Sequence, residues 1–258
     1  MTQTNIAGET PDTPERRRFL QGAARAAAGI AGLSVLAASQ AHADSKPLTL
    51  QDIPTKGYLA LPGLNLAGDI RVLNYALALE DFESDLYAQA VMRLTNGGTN
   101  RQGKSIPGLG VDRNEMDVYF IQKFAAVEAA HRDYLRGALK LDGIIRGIPI
   151  SRKLYEFGME SKSREDVLAL VRQVEATGTA AYLGAIPYFK TKLFLTAAAG
   201  IQGTEARHTT TLTIVENMLF KSDSPSPVAP LAGDNHGIDT PMEPDAVLAQ
   251  VSPYILSA

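Results

Sequence analysis

The order Glu…Tyr…Glu-x-x-His occurs twice in this chain. Glu80 is followed by Tyr87 and then by Glu128-Ala129-Ala130-His131, and Glu175 is followed by Tyr182 and then by Glu205-Ala206-Arg207-His208. Residues three apart on a helix lie on one face, one turn from each other. Each Glu-x-x-His can therefore offer a carboxylate oxygen and an imidazole nitrogen to a common point. One such pair is ordinary, since Glu and His are both common in helices. Two of them, consuming two of only four histidines in the chain, demand four helices with their acidic and imidazole groups at one height.

The local pattern agrees with that demand. Asp69 is a plausible N-cap, and the run from Asp69 to about Leu94 lacks Gly and Pro. Its apolar positions Leu73, Ala76, Leu77, Tyr87 and Val91 follow helical spacing. A second helix is expected from about Arg113 to Lys140, with Phe120, Ile121, Phe124, Leu135 and Ala138 on one stripe. A third starts at Ser163, with Glu165 and Asp166 in its first turn as the helix dipole favours. It carries Leu168, Val171 and Tyr182. Pro187 announces a break, and a fourth helix runs from the turn near Lys190 to about Phe220. A short helix, Asp245 to Val251, closes the chain after a Pro/Gly/Ser-rich stretch from Ser222 to Pro244. No segment sustains period-two alternation, so no sheet is expected. Asn96 to Gly110 is a turn-rich loop, and Asp142 to Lys162 is a long mixed connection. The expected fold is all-α: a four-helix bundle with a long crossover between helices 2 and 3. Two ligands on an antiparallel hairpin meet only if the turn lies midway between them. The midpoint for Glu80 and the Glu128/His131 pair falls near residue 105, and that for Glu175 and the Glu205/His208 pair near residue 191. Both fall on predicted turns.

Glu80 and Glu175 are the acidic residues best placed in the apolar stripes of helices 1 and 3. Glu80 is flanked by Leu73, Ala76, Leu77 and Tyr87; Glu175 by Leu168, Val171, Gly178 and Tyr182; Glu128 by Ile121, Phe124, Tyr134 and Leu135; Glu205 by Ile201 and Leu212. Ionised carboxylates on a buried face are costly unless paired or bound to metal. Four of them with two imidazoles call for cations, so the predicted metal ligands are Glu80, Glu128, His131, Glu175, Glu205 and His208, with Glu128 and Glu205 as bridges. The chain has no cysteine, which excludes thiolate sites, iron–sulfur clusters and disulfides. Hard oxygen donors with imidazole suit two iron or two manganese ions, zinc being less diagnostic. Two bridging carboxylates would hold such ions roughly 3.5–4 Å apart, and the pair could share the two electrons that O2 or H2O2 takes up. Tyr87 and Tyr182 are read either as hydrogen-bond partners or redox-active phenols behind the ligands, or as amphipathic core residues. Glu83 and Asp85 are read as a solvated face or as groups behind the ligands, Arg207 as a surface cation, and His236 as an exposed tail residue. A net charge of −3 leaves no basic excess for a nucleic-acid partner.

The first 43 residues have the order of an export signal: a basic Arg16-Arg17-Arg18, an Ala/Gly/Leu-rich stretch from about Ala23 to Ala38, and the small-x-small Ala41-His42-Ala43. The stretch is short, weakly apolar and interrupted by Arg25, so no membrane span is expected once the signal is removed. Arg16-Arg17-x-Phe19-Leu20 resembles the twin-arginine export motif of bacteria. That resemblance implies the twin-arginine translocase as a partner during export, a periplasmic or extracellular destination, and crossing in the folded state. The expected division is a signal peptide over 1–43, an irregular entry segment over 44–68, the bundle over 69–220 and a proline-rich tail with a short helix over 221–258.

Four stretches, Val72–Glu80, Phe124–His131, Glu175–Gly184 and Thr204–His208, together with the ending from Pro244 to Ile255, resemble the ferritin-like domain family that includes the desiccation-related proteins. The likeness covers about residues 50 to 258. It implies a ferritin-like four-helix bundle whose Glu and His positions match the family's wider ligand pattern. The irregular entry segment and proline-rich tail depart from cage-forming ferritins and argue against a storage shell, leaving a monomer or dimer. Activity stays open between a ferroxidase or peroxide-handling oxidoreductase and a non-catalytic envelope-stress, desiccation-protective or binding module on the same scaffold.

Overall fold

The computed structural model describes residues 49–53, 67–140, 154–221 and 223–256. The export-signal reading, His42, and most of the entry segment and of the crossover lie outside them. Four long helices form the bundle: α1 (Ala67–Leu94), α2 (Met116–Lys140), α3 (Arg164–Ala185) and α4 (Lys192–Phe220); α5 (Pro244–Val251) follows after the tail. α1 packs chiefly on α2 and α3 on α4, and the two hairpins join through α1–α3 and α2–α4 contacts. Among the described residues, no helix is long and apolar enough to cross a membrane.

The stripes read from spacing turn inward. Leu73, Ala76, Leu77, Tyr87, Ile121, Leu135, Leu168, Val171, Tyr182, Ile201 and Leu212 are all buried. Tyr134, expected beside Glu128, is instead about half exposed. α2 begins three residues later than the spacing suggested, because Asp112 to Glu115 form a turn that precedes it. A two-stranded hairpin, β1 (Gly98–Thr99) with β2 (Ser105–Ile106), occupies the first interhelical loop. Among the described residues, the expectation of no sheet holds for the helical body and fails at this turn, where two residues a side are too few to show a period.

Asp69 does not cap its own helix, which starts at Ala67. Its carboxylate instead accepts the N–H groups of Lys190 (2.5 Å) and Thr191 (3.1 Å) and the Thr191 hydroxyl (2.6 Å). A side chain at the start of α1 thus satisfies the donors that open α4. α3 begins as its sequence predicts. The Ser163 hydroxyl accepts from Asp166 N–H, and the Asp166 carboxylate accepts from Ser163 N–H, which is a capping box. A 3-10 turn at Ile186–Tyr188, with Pro187 inside it, separates α3 from α4.

The outer face of α1 is covered as well. Tyr155 and Phe157 from the end of the crossover and Tyr254 from the C-terminal turn pack around Phe82, at 5.2, 5.1 and 5.8 Å between ring centres. Tyr155 pairs with Ile255 in an isolated β-bridge. The Met242 N–H donates to Ala180 O (2.9 Å). This is a close approach that only Gly184 permits, since a Cβ there would lie 1.9 Å from Met242 O. α1 is therefore buried nearly all round.

Candidate metal centre

Each helix of the bundle brings acidic groups to one level. α1 supplies Glu80, α2 supplies Glu128 and His131, α3 supplies Glu175, and α4 supplies Glu205 and His208. The four glutamates are fully buried and His208 is 4% exposed. The His131 Nδ1 lies 3.1 Å from Glu128, 3.4 Å from Glu205 and 3.6 Å from Glu80. The His208 Nδ1 lies 2.8 Å from Glu128 and 3.3 Å from Glu175. Phe124 stacks on the His208 ring at 3.9 Å and fixes its plane. Two groups of four result: Glu80, Glu128, His131 and Glu205, and Glu128, Glu175, Glu205 and His208, each with one donor atom per residue within 4.8 Å of the others. Glu128 and Glu205 belong to both.

The two tyrosines cross between the halves. The Tyr87 hydroxyl donates to Glu175, and the Tyr182 hydroxyl donates to Glu80. Each phenol therefore holds the glutamate of the opposite copy of the motif, as antiparallel α1 and α3 require. Both are buried, and both hydrogen-bond to the central carboxylates.

The charge pattern is that of a site built for cations. Burial pushes Glu80 up to about 7, opposed by the nearby His131 and by the Tyr182 hydroxyl that donates to it. Burial, then the charges of Glu175 and Glu128, push Glu205 well above the carboxylate range. Burial raises Glu175 as well. Glu128 is the exception: burial would raise it, but the two histidines beside it hold it down at about 2. Burial would lower the histidines, yet the surrounding carboxylates outweigh it and lift His131 to about 12 and His208 to about 9. Among the described residues, Glu80 Oε2, Glu128 Oε1, Glu175 Oε2, both oxygens of Glu205 and the His208 Nδ1 make no hydrogen bond of acceptable geometry. Buried orphaned oxygens of this kind are strongly unfavourable. Fully ionised, the four carboxylates outnumber the two imidazolium charges, and the donor set of hard oxygens with imidazole fits metal ions.

Residues 68–217, more than half of the chain, match the ferritin-like domain family. The chain belongs to that family. Comparison with curated proteins and with solved structures gives no match. A ferritin-like bundle accounts for why the carboxylates and histidines come from four different helices: only the tertiary packing joins them, with each hairpin turn midway between its ligands. Those turns are the β1–β2 hairpin, which includes Ser105, and Thr191, which precedes α4.

One group in this ferritin-like core is a correction. The spacing allows Glu83 and Asp85 either a solvated face or a place behind the ligands, and the solvated alternative fails: they are 2% and 4% exposed. Glu83 is enclosed by the bundle interior, opposite Gly178 of α3, and Asp85 lies among groups packed on the outer face of α1. Asp85 accepts from Gln89 (2.9 Å), and the adjacent buried Asp81 meets Arg136 (2.9 Å) and Arg101 (3.3 Å). Glu83 faces the metal centre, where burial first, then the charges of Glu205 and Glu80, push it well above the carboxylate range. Its spacing held the signal, three residues after Glu80 and four before Tyr87 on one helical face. Arg207 and His236 are exposed, as expected.

Proposed function

We propose that this ferritin-like protein is an exported dimetal-carboxylate protein that oxidises Fe(II) or handles O2 or H2O2 at a pair of iron or manganese ions. The observation that carries the reading is the overlap of the two Glu/His groups at Glu128 and Glu205 in a dry core. Glu80, Glu128 and His131 with Glu205 would hold one ion, and Glu175, Glu205 and His208 with Glu128 the other. When bound, such a pair supplies two one-electron changes, matching the two-electron reduction of O2 to peroxide or of H2O2 to water. The chain's own contribution is positioning and exclusion of water. Tyr87 and Tyr182 orient Glu175 and Glu80, Phe124 orients His208, and the packed core keeps bulk solvent from the carboxylates.

Export through the twin-arginine translocase to the periplasm rests on Arg16-Arg17-x-Phe19-Leu20 and Ala41-His42-Ala43, and is read by N-terminal sequencing of the exported chain. A role in desiccation or envelope stress belongs to the same proposal and rests on the family resemblance. Metal analysis of the native protein tests the centre. The expected result is about two ions per chain, lost in Glu128→Ala because that carboxylate serves both positions. Wild-type protein without metal rejects the proposal. Metal without O2 or peroxide consumption after Fe(II) or Mn(II) loading rejects the redox activity and favours a binding or protective module. Elution at monomer or dimer mass separates either from a storage shell.

A further inference from the structure

The internal repeat pairs Glu80 with Glu175 and Tyr87 with Tyr182, so position 83 on α1 corresponds to position 178 on α3. The two halves differ there: one carries Glu83 and the other Gly178. The structure places these two positions face to face. A Cβ on Gly178 would lie 2.9 Å from Glu83 Oε1 and 2.8 Å from Glu205 Oε2, closer than real side chains tolerate. The missing side chain is thus the space into which both carboxylates project. Glu83 is 2% exposed, and its Oε2 has no hydrogen-bond partner among the described residues.

A fifth carboxylate carried to the centre of the core, without a cation beside it, is a costly feature for a purely structural residue to retain. We infer that Glu83 is a further metal ligand, supplied to one side of the dimetal centre only, and that Gly178 is the residue that gives it room. The inference rests on the metal-centre reading above. Its consequence is that the two ion positions are chemically unequal: Glu83 adds an oxygen donor beside Glu205 that the pseudo-twofold does not repeat. Glu83 stands outside both four-residue groups, so reaching an ion would take a rotation of its side chain within the cleft at Gly178.

The test is competitive titration with Mn(II) alone on the full-length protein, run alongside thermal unfolding of the metal-free form. Glu83→Gln keeps the shape of the side chain and removes its charge. Gly178→Ala keeps both glutamates in the chain but displaces their carboxylates. Each is expected to weaken Mn(II) binding about tenfold or more, and Glu83→Gln is expected to leave the metal-free unfolding midpoint unchanged or raised. The Mn(II) electron paramagnetic resonance spectrum of Glu83→Gln should also differ from wild type. Wild-type Mn(II) affinity in either folded variant overturns the inference while leaving the metal centre standing. Absence of Mn(II) binding in the wild type overturns the metal-centre reading and this inference together. A lowered metal-free midpoint with unchanged affinity identifies a structural residue and also overturns it.

Discussion

Tyr87 and Tyr182 determine how rigid the centre is. Each phenol is buried and donates to a carboxylate across the bundle, and burial followed by the neighbouring glutamate charge raises both well above their ordinary range. They therefore stay protonated and act as fixed donors. Removing one hydroxyl leaves its glutamate free to turn away from the ion. Tyr87→Phe and Tyr182→Phe are each expected to lower metal affinity about ten- to hundredfold. Isothermal titration of both variants checks this, and an effect confined to one would show that the two halves hold their ions differently. The spacing of seven residues after each glutamate put these tyrosines on the right face. Which carboxylate each would meet was not legible, since the partner is on the other copy of the motif.

At the scale of the element, α3 is the helix whose start is written most fully in the sequence. The Ser163 hydroxyl and N–H hold the Asp166 carboxyl below its ordinary value of 3.8. The folded state therefore favours the ionised form. The stabilisation is complete above that ordinary value and is lost as pH falls through the lower folded one. Ser163→Ala should cost about 1 kcal/mol at neutral pH. For Asp166→Asn, the deficit measured by urea unfolding should be full above about pH 5 and shrink below about pH 4. α4 shows the opposite case. Its opening donors are met by Asp69, 121 and 122 residues away in the chain, so a reading of local caps assigned that aspartate to the wrong helix. Local hydrogen bonds can be read from spacing, whereas a cap supplied from another element cannot.

Over the whole molecule, the buried carboxylates set the balance between metal-free and metal-bound protein. Without ions, the core carries orphaned oxygens that oppose its packing; with ions, the same oxygens become ligands. Saturating metal should raise the thermal midpoint by roughly 5–10 °C, a rise that chelator abolishes and that Glu128→Ala never shows; differential scanning calorimetry reads it. The sequence by itself determined the four helices, the length of their connections and the convergence of six glutamates and histidines, because helical period and turn position fix which residues share a face and a height. Only the tertiary structure decided that Glu83 and Asp85 are dry, that each tyrosine serves the other half of the repeat, and that Asp69 works for α4. The physical reason is common to all three. Each is a contact between segments far apart in the chain, and such contacts depend on which surfaces packing brings together, which no local spacing records.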